Sequence, residues 1–160
     1  LLMESLAQEK EHFLTEDVVC RVQGLITAEQ HTKPGGPKLK PEWIGKYRLV
    51  NVYIGGRTAP SPIRVPSLMH SWVSRVAEWQ KSNPNSSIVN LCHYEYEHIH
   101  PFVDGNGRSG RALVYHLLRY CGIAPFVFTS KDKYETYYRC FDKPEVMYRY
   151  FKSKADLNPI

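Results

Sequence analysis

His98-Ile99-His100-Pro101-Phe102-Val103-Asp104-Gly105-Asn106-Gly107-Arg108-Ser109-Gly110-Arg111 is the most informative run in this chain, and it leads straight into an apolar-striped helix. Between His100 and Arg111 it places an imidazole, a carboxylate, a flexible backbone turn and two guanidinium groups. Gly105 and Gly107 can take positive φ, which lets successive backbone N–H groups turn inward as an anion-binding nest. The start of the following helix adds unpaired N–H groups and the positive end of its dipole. Arg108 and Arg111 are three apart, so on that first turn they share a face and can grip a polyphosphate together. Asp104 is a hard oxygen ligand placed for a Mg²⁺ that neutralises phosphate, and Asn106 supplies an amide donor inside the loop. Together these residues read as a phosphate-binding constellation.

Outward from that run, the pattern is helical. Leu113, Val114, Leu117, Leu118 and Cys121 stripe the helix that follows, which Gly122 closes. Ile88, Leu91, Cys92, Tyr96 and Ile99 stripe the helix before it, and Asn83-Pro84-Asn85 marks the preceding break. Val65, Met69, Trp72, Val73, Val76 and Trp79 form another stripe. Near the start, Val18, Val19, Val22 and Ile26 recur at helical spacing behind Thr15-Glu16-Asp17, a capping signal with acids in the first turn. Residues 31–42 are a Pro/Gly/Lys loop, and segments around 131–141 and 144–152 read as further helices. Only Tyr47 to Ile54 is rich in β-branched and aromatic residues, ending at Gly55-Gly56, a hairpin turn signal. The expectation is an all-α domain with one small hairpin.

The chain has 160 residues, the size of one domain, with 42% hydrophobic and 23% charged residues, which excludes disordered and fibrous classes. Its apolar runs fall far short of the roughly 20 residues a bilayer span needs. No signal peptide is visible, and the start at Leu1 rather than Met reads as a trimmed fragment. Cys20, Cys92, Cys121 and Cys140 lack metal or disulfide spacing and read as thiols in a reducing, cytoplasmic setting. A net charge of +5 suggests anionic partners, but no dense Lys/Arg tract supports a nucleic-acid module.

Gly105, Gly107 and Gly110 also satisfy G-x-G-x-x-G, yet the residues before them, HYEYEHIHPF, are not a buried strand, and no βαβ repeat surrounds them. The Walker-type loop is absent as well. His100 extends the chemistry beyond phosphate binding, because an imidazole can accept a proton from an attacking hydroxyl at neutral pH. Pro101 is expected to hold His100 extended, ending the helix and turning the ring toward the phosphate loop. His93, His98 and His100 also raise a metal site, but one helix cannot readily aim all three at one ion.

The run His100 to Arg111 resembles the Fic family signature, H-P-F-x-[DE]-G-N-G-R-x-x-R, at every fixed position. His93-Tyr94 and the GKYRLVNVYIGGR segment are also similar to family features, and the resemblance extends from about Thr15 to Phe151. It implies a helical bundle with a β-hairpin flap (about 45–60) within a domain over 15–152, an N-terminal segment over 1–14 and a tail over 153–160. It also implies transfer of AMP from ATP to a Ser, Thr or Tyr hydroxyl of a target protein, including self-modification. In that scheme His100 is the general base and Asp104 the Mg²⁺ ligand. Asn106 and the amides around Gly105 and Gly107 hold the α-phosphate, while Arg108 and Arg111 steady the phosphates beyond it. Phe102 reads as a core anchor for the loop.

By the same resemblance, Asn51, Val52, Tyr53 and Ile54 form the flap edge that pairs with the target backbone. Tyr134, Tyr138 and Asp142, four apart, fall in the region that holds the adenine. Ser5-Leu6-Ala7-Gln8-Glu9 fits the first five positions of the inhibitory pattern [ST]-x-x-x-E-[GN], with Lys10 where the pattern has Gly or Asn. Ser5 and Glu9 would then restrain activity, Glu9 by pairing with Arg111. The intact Gly-Asn-Gly-Arg favours AMP over other donors such as UTP or CDP-choline. Predominant de-AMPylation and a basic nucleic-acid module are the alternatives.

Overall fold

The computed structural model describes residues 13–30, 32, 39–82, 86–125 and 136–156. Among them are five α-helices: α1 (Glu16–Thr27), α2 (Val65–Ser82), α3 (Ser86–Ile99), α4 (Asn106–Tyr120) and α5 (Pro144–Asp156). One two-stranded antiparallel hairpin, β1 (Tyr53–Ile54) and β2 (Arg57–Thr58), interrupts them. None of these helices is long and apolar enough to cross a membrane.

Local signals place most boundaries. Thr15 caps α1, its hydroxyl accepting from the Val18 N–H at 3.2 Å, and Glu16 and Asp17 complement the helix dipole. At the end of α4, Gly122 takes φ +72°; its N–H donates to the Arg119 carbonyl, and the Ile123 N–H donates to that of Leu118. That bonding is a Schellman end, and it satisfies carbonyls the helix would otherwise leave open. α3 packs against α4 and α5, α1 against α4, and α2 against α3. The stripes expected from sequence meet in one core, with Trp72, Tyr96, Phe102, Leu117 and Met147 at its centre. The buried Trp72 indole donates to the Cys92 carbonyl at 3.0 Å, so its polar atom is satisfied inside the core.

Three expectations need correction. Tyr47 to Ile54 is not one strand: only Tyr53 and Ile54 pair, with Thr58 and Arg57. Among the described residues no further strand pairs with the preceding ones: the Val52 carbonyl accepts from the Ala59 N–H, the Arg48 N–H donates to the Pro101 carbonyl, and the Arg48 side chain turns inward. In the segment read as helix over 131–141, the described part forms a 3₁₀ turn, Tyr137–Asp142. His100 is not extended but left-handed, with φ +51°. Its N–H still bonds the Tyr96 carbonyl and its own carbonyl accepts from Arg48 Nε at 2.7 Å, so the backbone reverses at the helix end despite the following proline. For a non-glycine residue such a conformation costs on the order of 1–3 kcal/mol and persists only where surroundings enforce it.

Candidate active site

The loop between α3 and α4 is held from four directions. Phe102 is fully buried, with its ring 5.6 Å from that of Tyr47. The Asn106 side chain closes back on the same residue: its Oδ1 accepts from the Phe102 N–H at 2.8 Å and its Nδ2 donates to the Phe102 carbonyl at 2.9 Å. Both ends of that amide are therefore engaged within the loop, and Asn106 is among the residues that line the cavity. Gln23, buried on α1, donates from Nε2 to the Asp104 carbonyl at 3.0 Å and accepts from the Gly45 N–H at 2.6 Å. Ser109 completes the fastening, with its hydroxyl 2.7 Å from that of Tyr96 and 2.9 Å from the Gly105 carbonyl.

Gly105 caps α4 at φ +81°. A Cβ there would lie 2.7 Å from Thr27 Cγ2, so both backbone angle and space demand glycine. Gly107 does not share the positive φ expected of it, because it lies inside the first helical turn. Its missing Cβ instead makes room for Arg111, whose Nη1 would be 3.1 Å away. The first α4 amide to meet a preceding carbonyl is that of Ser109, on Gly105. The N–H groups of Asn106, Gly107 and Arg108 lie ahead of it at the positive end of the helix.

These residues line one cavity of about 590 Å³. His100, Asp104, Gly105, Asn106, Gly107, Arg108 and Arg111 all reach it. So do Tyr138 and Asp142, both on the 3₁₀ turn. Of the four flap residues, Ile54 reaches it; Asn51, Val52 and Tyr53 are not among its lining, and Tyr53 is 74% exposed. Tyr134, Ser5 and Glu9 lie outside the described residues.

His100 Nδ1 stands 3.2 Å from the Glu97 carbonyl. A carbonyl only accepts, so Nδ1 carries the proton and Nε2 keeps its lone pair. Burial pulls the His100 pKa below the ordinary imidazole value, against the raising effect of the Glu97 carbonyl, so the ring is neutral at pH 7. Asp104 Oδ1 accepts from the Gly105 N–H at 2.6 Å, and Oδ2 from the Gln30 amide. Each oxygen has a second lone pair, and the carboxylate is partly exposed. Mg²⁺ usually takes one or two protein carboxylates plus phosphate oxygens and water, so this donor set suits it. Arg108 donates to Gln30 Oε1 at 2.8 Å, which holds it beside Asp104.

Sequence reading missed four contributors. Glu97 is buried, with Oε1 lacking a hydrogen-bond partner, and burial raises its pKa to about 7 against the opposing charge of Arg111. Gly110 admits it: a Cβ there would fall 2.3 Å from that oxygen. His93 beside it is pushed down to about 3 by burial and by Arg111. The spacing of His93, Glu97 and His100, four and three apart on one helix, was the available signal. Arg48 is the second, a buried guanidinium donating to the carbonyls of His100, Val50, Pro60 and Ile99. Gln23 and Gln30 complete the four, and nothing in their local sequence points to the loop at Asp104 that they contact. The three histidines raised as a metal set go separate ways: His93 to the Tyr137 hydroxyl, His98 to Arg57, and His100 to the Glu97 carbonyl.

A family model described as Fic/DOC family matches residues 13–118. Over 99 residues the chain is 38% identical to the protein adenylyltransferase Fic of Drosophila virilis, and 36% identical to that of Drosophila grimshawi. Each alignment takes in 59% of this chain and 20% of the relative, so the chain spans about a fifth of the length of these curated relatives. Among solved structures, a Fic domain-containing signaling protein from Bacteroides thetaiotaomicron is 26% identical with a TM-score of 0.73. That match covers 96% of this chain and 63% of the other.

Proposed function

The chain belongs to the Fic/DOC family, and on that premise we propose that it transfers AMP from ATP to a Ser, Thr or Tyr hydroxyl of a target protein. The observation that carries this reading is the pairing of a neutral His100, its Nε2 lone pair free by tautomer, with the N-terminus of α4 in one cavity. In the proposed reaction the acceptor oxygen bonds the α-phosphorus while the bond from that phosphorus to the bridging oxygen breaks. Pyrophosphate leaves with the electron pair, and the hydroxyl proton passes to His100 Nε2. Catalysis is then positioning plus charge stabilisation, with the amides of Asn106, Gly107 and Arg108 fixed where charge develops. Arg108 and Arg111 carry the phosphates that leave. Asp104 would hold a Mg²⁺, whose chemistry is to neutralise phosphate charge. The names of the Drosophila relatives support the adenylyl group as the cargo. Tyr138 and Asp142, at the cavity wall, are the groups we assign to the base. Glu9 is the residue we assign to restraint of Arg111, so Glu9→Gly should raise self-labelling.

The test is incorporation of label from α-labelled against γ-labelled ATP, with Mg²⁺, into the protein itself and into cell lysate, alongside pyrophosphate release. Label from the α position only, with one pyrophosphate per label, is expected. Label from the γ position would mean phosphoryl transfer and overturn the assignment of the leaving group.

A further inference from the structure

A second groove, about 340 Å³ in volume, adjoins the first cavity at the hairpin. The two share Ile54, Arg57 and His98, so they are continuous around the turn between β1 and β2. The second groove adds Arg64, and no carboxylate lines it. We propose that it is an acceptor subsite that binds an acidic side chain flanking the modified hydroxyl in the target protein. This inference rests on the transferase reading of the neighbouring cavity and specifies its substrate: a hydroxyl in an acidic segment.

The charge arrangement carries the argument. Arg57 Nη1 lies 3.0 Å from His98 Nε2, and His98 Nδ1 lies 2.8 Å from the Tyr94 carbonyl. Because that carbonyl can only accept, Nδ1 carries the ring proton and Nε2 accepts from Arg57. The Tyr94 ring, 4.0 Å from the imidazole centroid, braces it. Arg57 is thus oriented by a neutral acceptor, which leaves its charge uncompensated. Among the described residues, neither Arg57 nor Arg64 has a carboxylate within ion-pair distance, although His70, Arg75 and Arg108 each have one. An oriented, unneutralised guanidinium beside a second one suits recognition of a carboxylate.

The surroundings favour a protein segment over a nucleic acid. β1 pairs on one side with β2 and has no partner on the other among the described residues, so an extended peptide can add to it. Ile63, next to Arg64, is 86% exposed, and an apolar side chain of a protein target can cover it. A peptide laid along β1 with its hydroxyl at His100 would bring neighbouring side chains to the groove, since strand residues advance about 3.3 Å each.

The experiment uses two fluorescein-labelled peptide pools sharing a central mixed Ser/Thr/Tyr position, one flanked by Asp and Glu, the other by Asn and Gln. Anisotropy titrations would compare wild type, Arg64→Ala and Arg64→Glu, with a non-hydrolysable ATP analogue as a control ligand. The acidic pool should bind roughly tenfold more tightly than the amide pool. Arg64→Ala should weaken it about threefold, and Arg64→Glu should erase the preference, with analogue affinity unchanged. Equal binding of the two pools, or insensitivity to Arg64→Glu, would overturn the subsite. Displacement of the acidic pool by a single-stranded oligonucleotide at lower concentration than by unlabelled acidic peptide would assign the groove to nucleic acid instead. Adding α-labelled ATP to the same mixtures separates the two readings. An acidic preference that Arg64→Glu abolishes, without any transfer of label even in a Glu9→Gly background, would support the groove as an acidic-peptide site and refute the transferase.

Discussion

Replacing Gly105 with alanine isolates the geometry on which the proposed phosphate cradle depends. Two penalties add. At φ +81° an L-residue costs about 1–2 kcal/mol. The new Cβ would stand 2.7 Å from Thr27 Cγ2, where carbon pairs settle near 3.5–4.0 Å, so the atoms must part by roughly 1 Å. Thr27 cannot easily yield, because it is fully buried and its hydroxyl donates to the Gln23 carbonyl at 2.8 Å. Overpacking of this kind costs about 1–3 kcal/mol, giving a total of about 2–5 kcal/mol. Thr27→Ser removes the methyl and keeps the hydroxyl bond. In that background Gly105→Ala should cost only the backbone share, about 1–2 kcal/mol. Urea unfolding of the four proteins, analysed with a shared m value, measures the coupling as a double-mutant cycle. An equal cost in both backgrounds would refute the steric argument, and a cost below about 0.5 kcal/mol in the wild type would refute the left-handed cap as well.

Burial lowers the His100 pKa, and the neutral ring is the proposed base, so the acid limb of kcat/KM for transfer should lie below pH 6.5; a limb above it would contradict the assignment. Glu97 has a folded pKa of about 7 against an ordinary 4.5, so the folded state holds its proton through that interval. Its stabilising contribution is complete below pH 4.5 and is lost as pH rises through 7, at about 1.4 kcal/mol per pH unit. Glu97→Gln should therefore flatten the fall in stability between pH 5 and pH 8 seen by urea titration; parallel curves would show that the carboxyl does not titrate there. Arg48→Met leaves four carbonyls, on His100, Val50, Pro60 and Ile99, without this donor and should cost about 3–5 kcal/mol, with Arg48→Lys recovering part of it. A loss under 1 kcal/mol in Arg48→Met would show that these bonds are replaced by water.

What the sequence made legible was local. The Thr15 cap, the Gly122 stop and the Gly55-Gly56 turn each depend on neighbours within a few residues, and each stands where expected. The apolar stripes were equally readable because a helix repeats its facing positions on a fixed period. The motif residues converge on one cavity because the loop between α3 and α4 is short and both helices are anchored in the core. The failures share a different cause. Tyr47 to Val52 has strand composition, but among the described residues no strand pairs with it, and Arg48 reaches across the fold to carbonyls at Ile99 and His100. Gln23 meets Asp104 across 81 positions of chain, a contact no window of sequence contains. The left-handed turn at His100 stands against the local preference set by Pro101, and its carbonyl accepts that same Arg48 bond.

The central claim is that His100 accepts the proton of the attacking hydroxyl. Its most direct test is the rate of label incorporation from α-labelled ATP by wild type and His100→Ala at saturating nucleotide. A fall of about 10²–10⁴-fold in His100→Ala, with affinity for a non-hydrolysable ATP analogue unchanged, is the predicted result. A His100→Ala protein that labels at the wild-type rate would contradict the account.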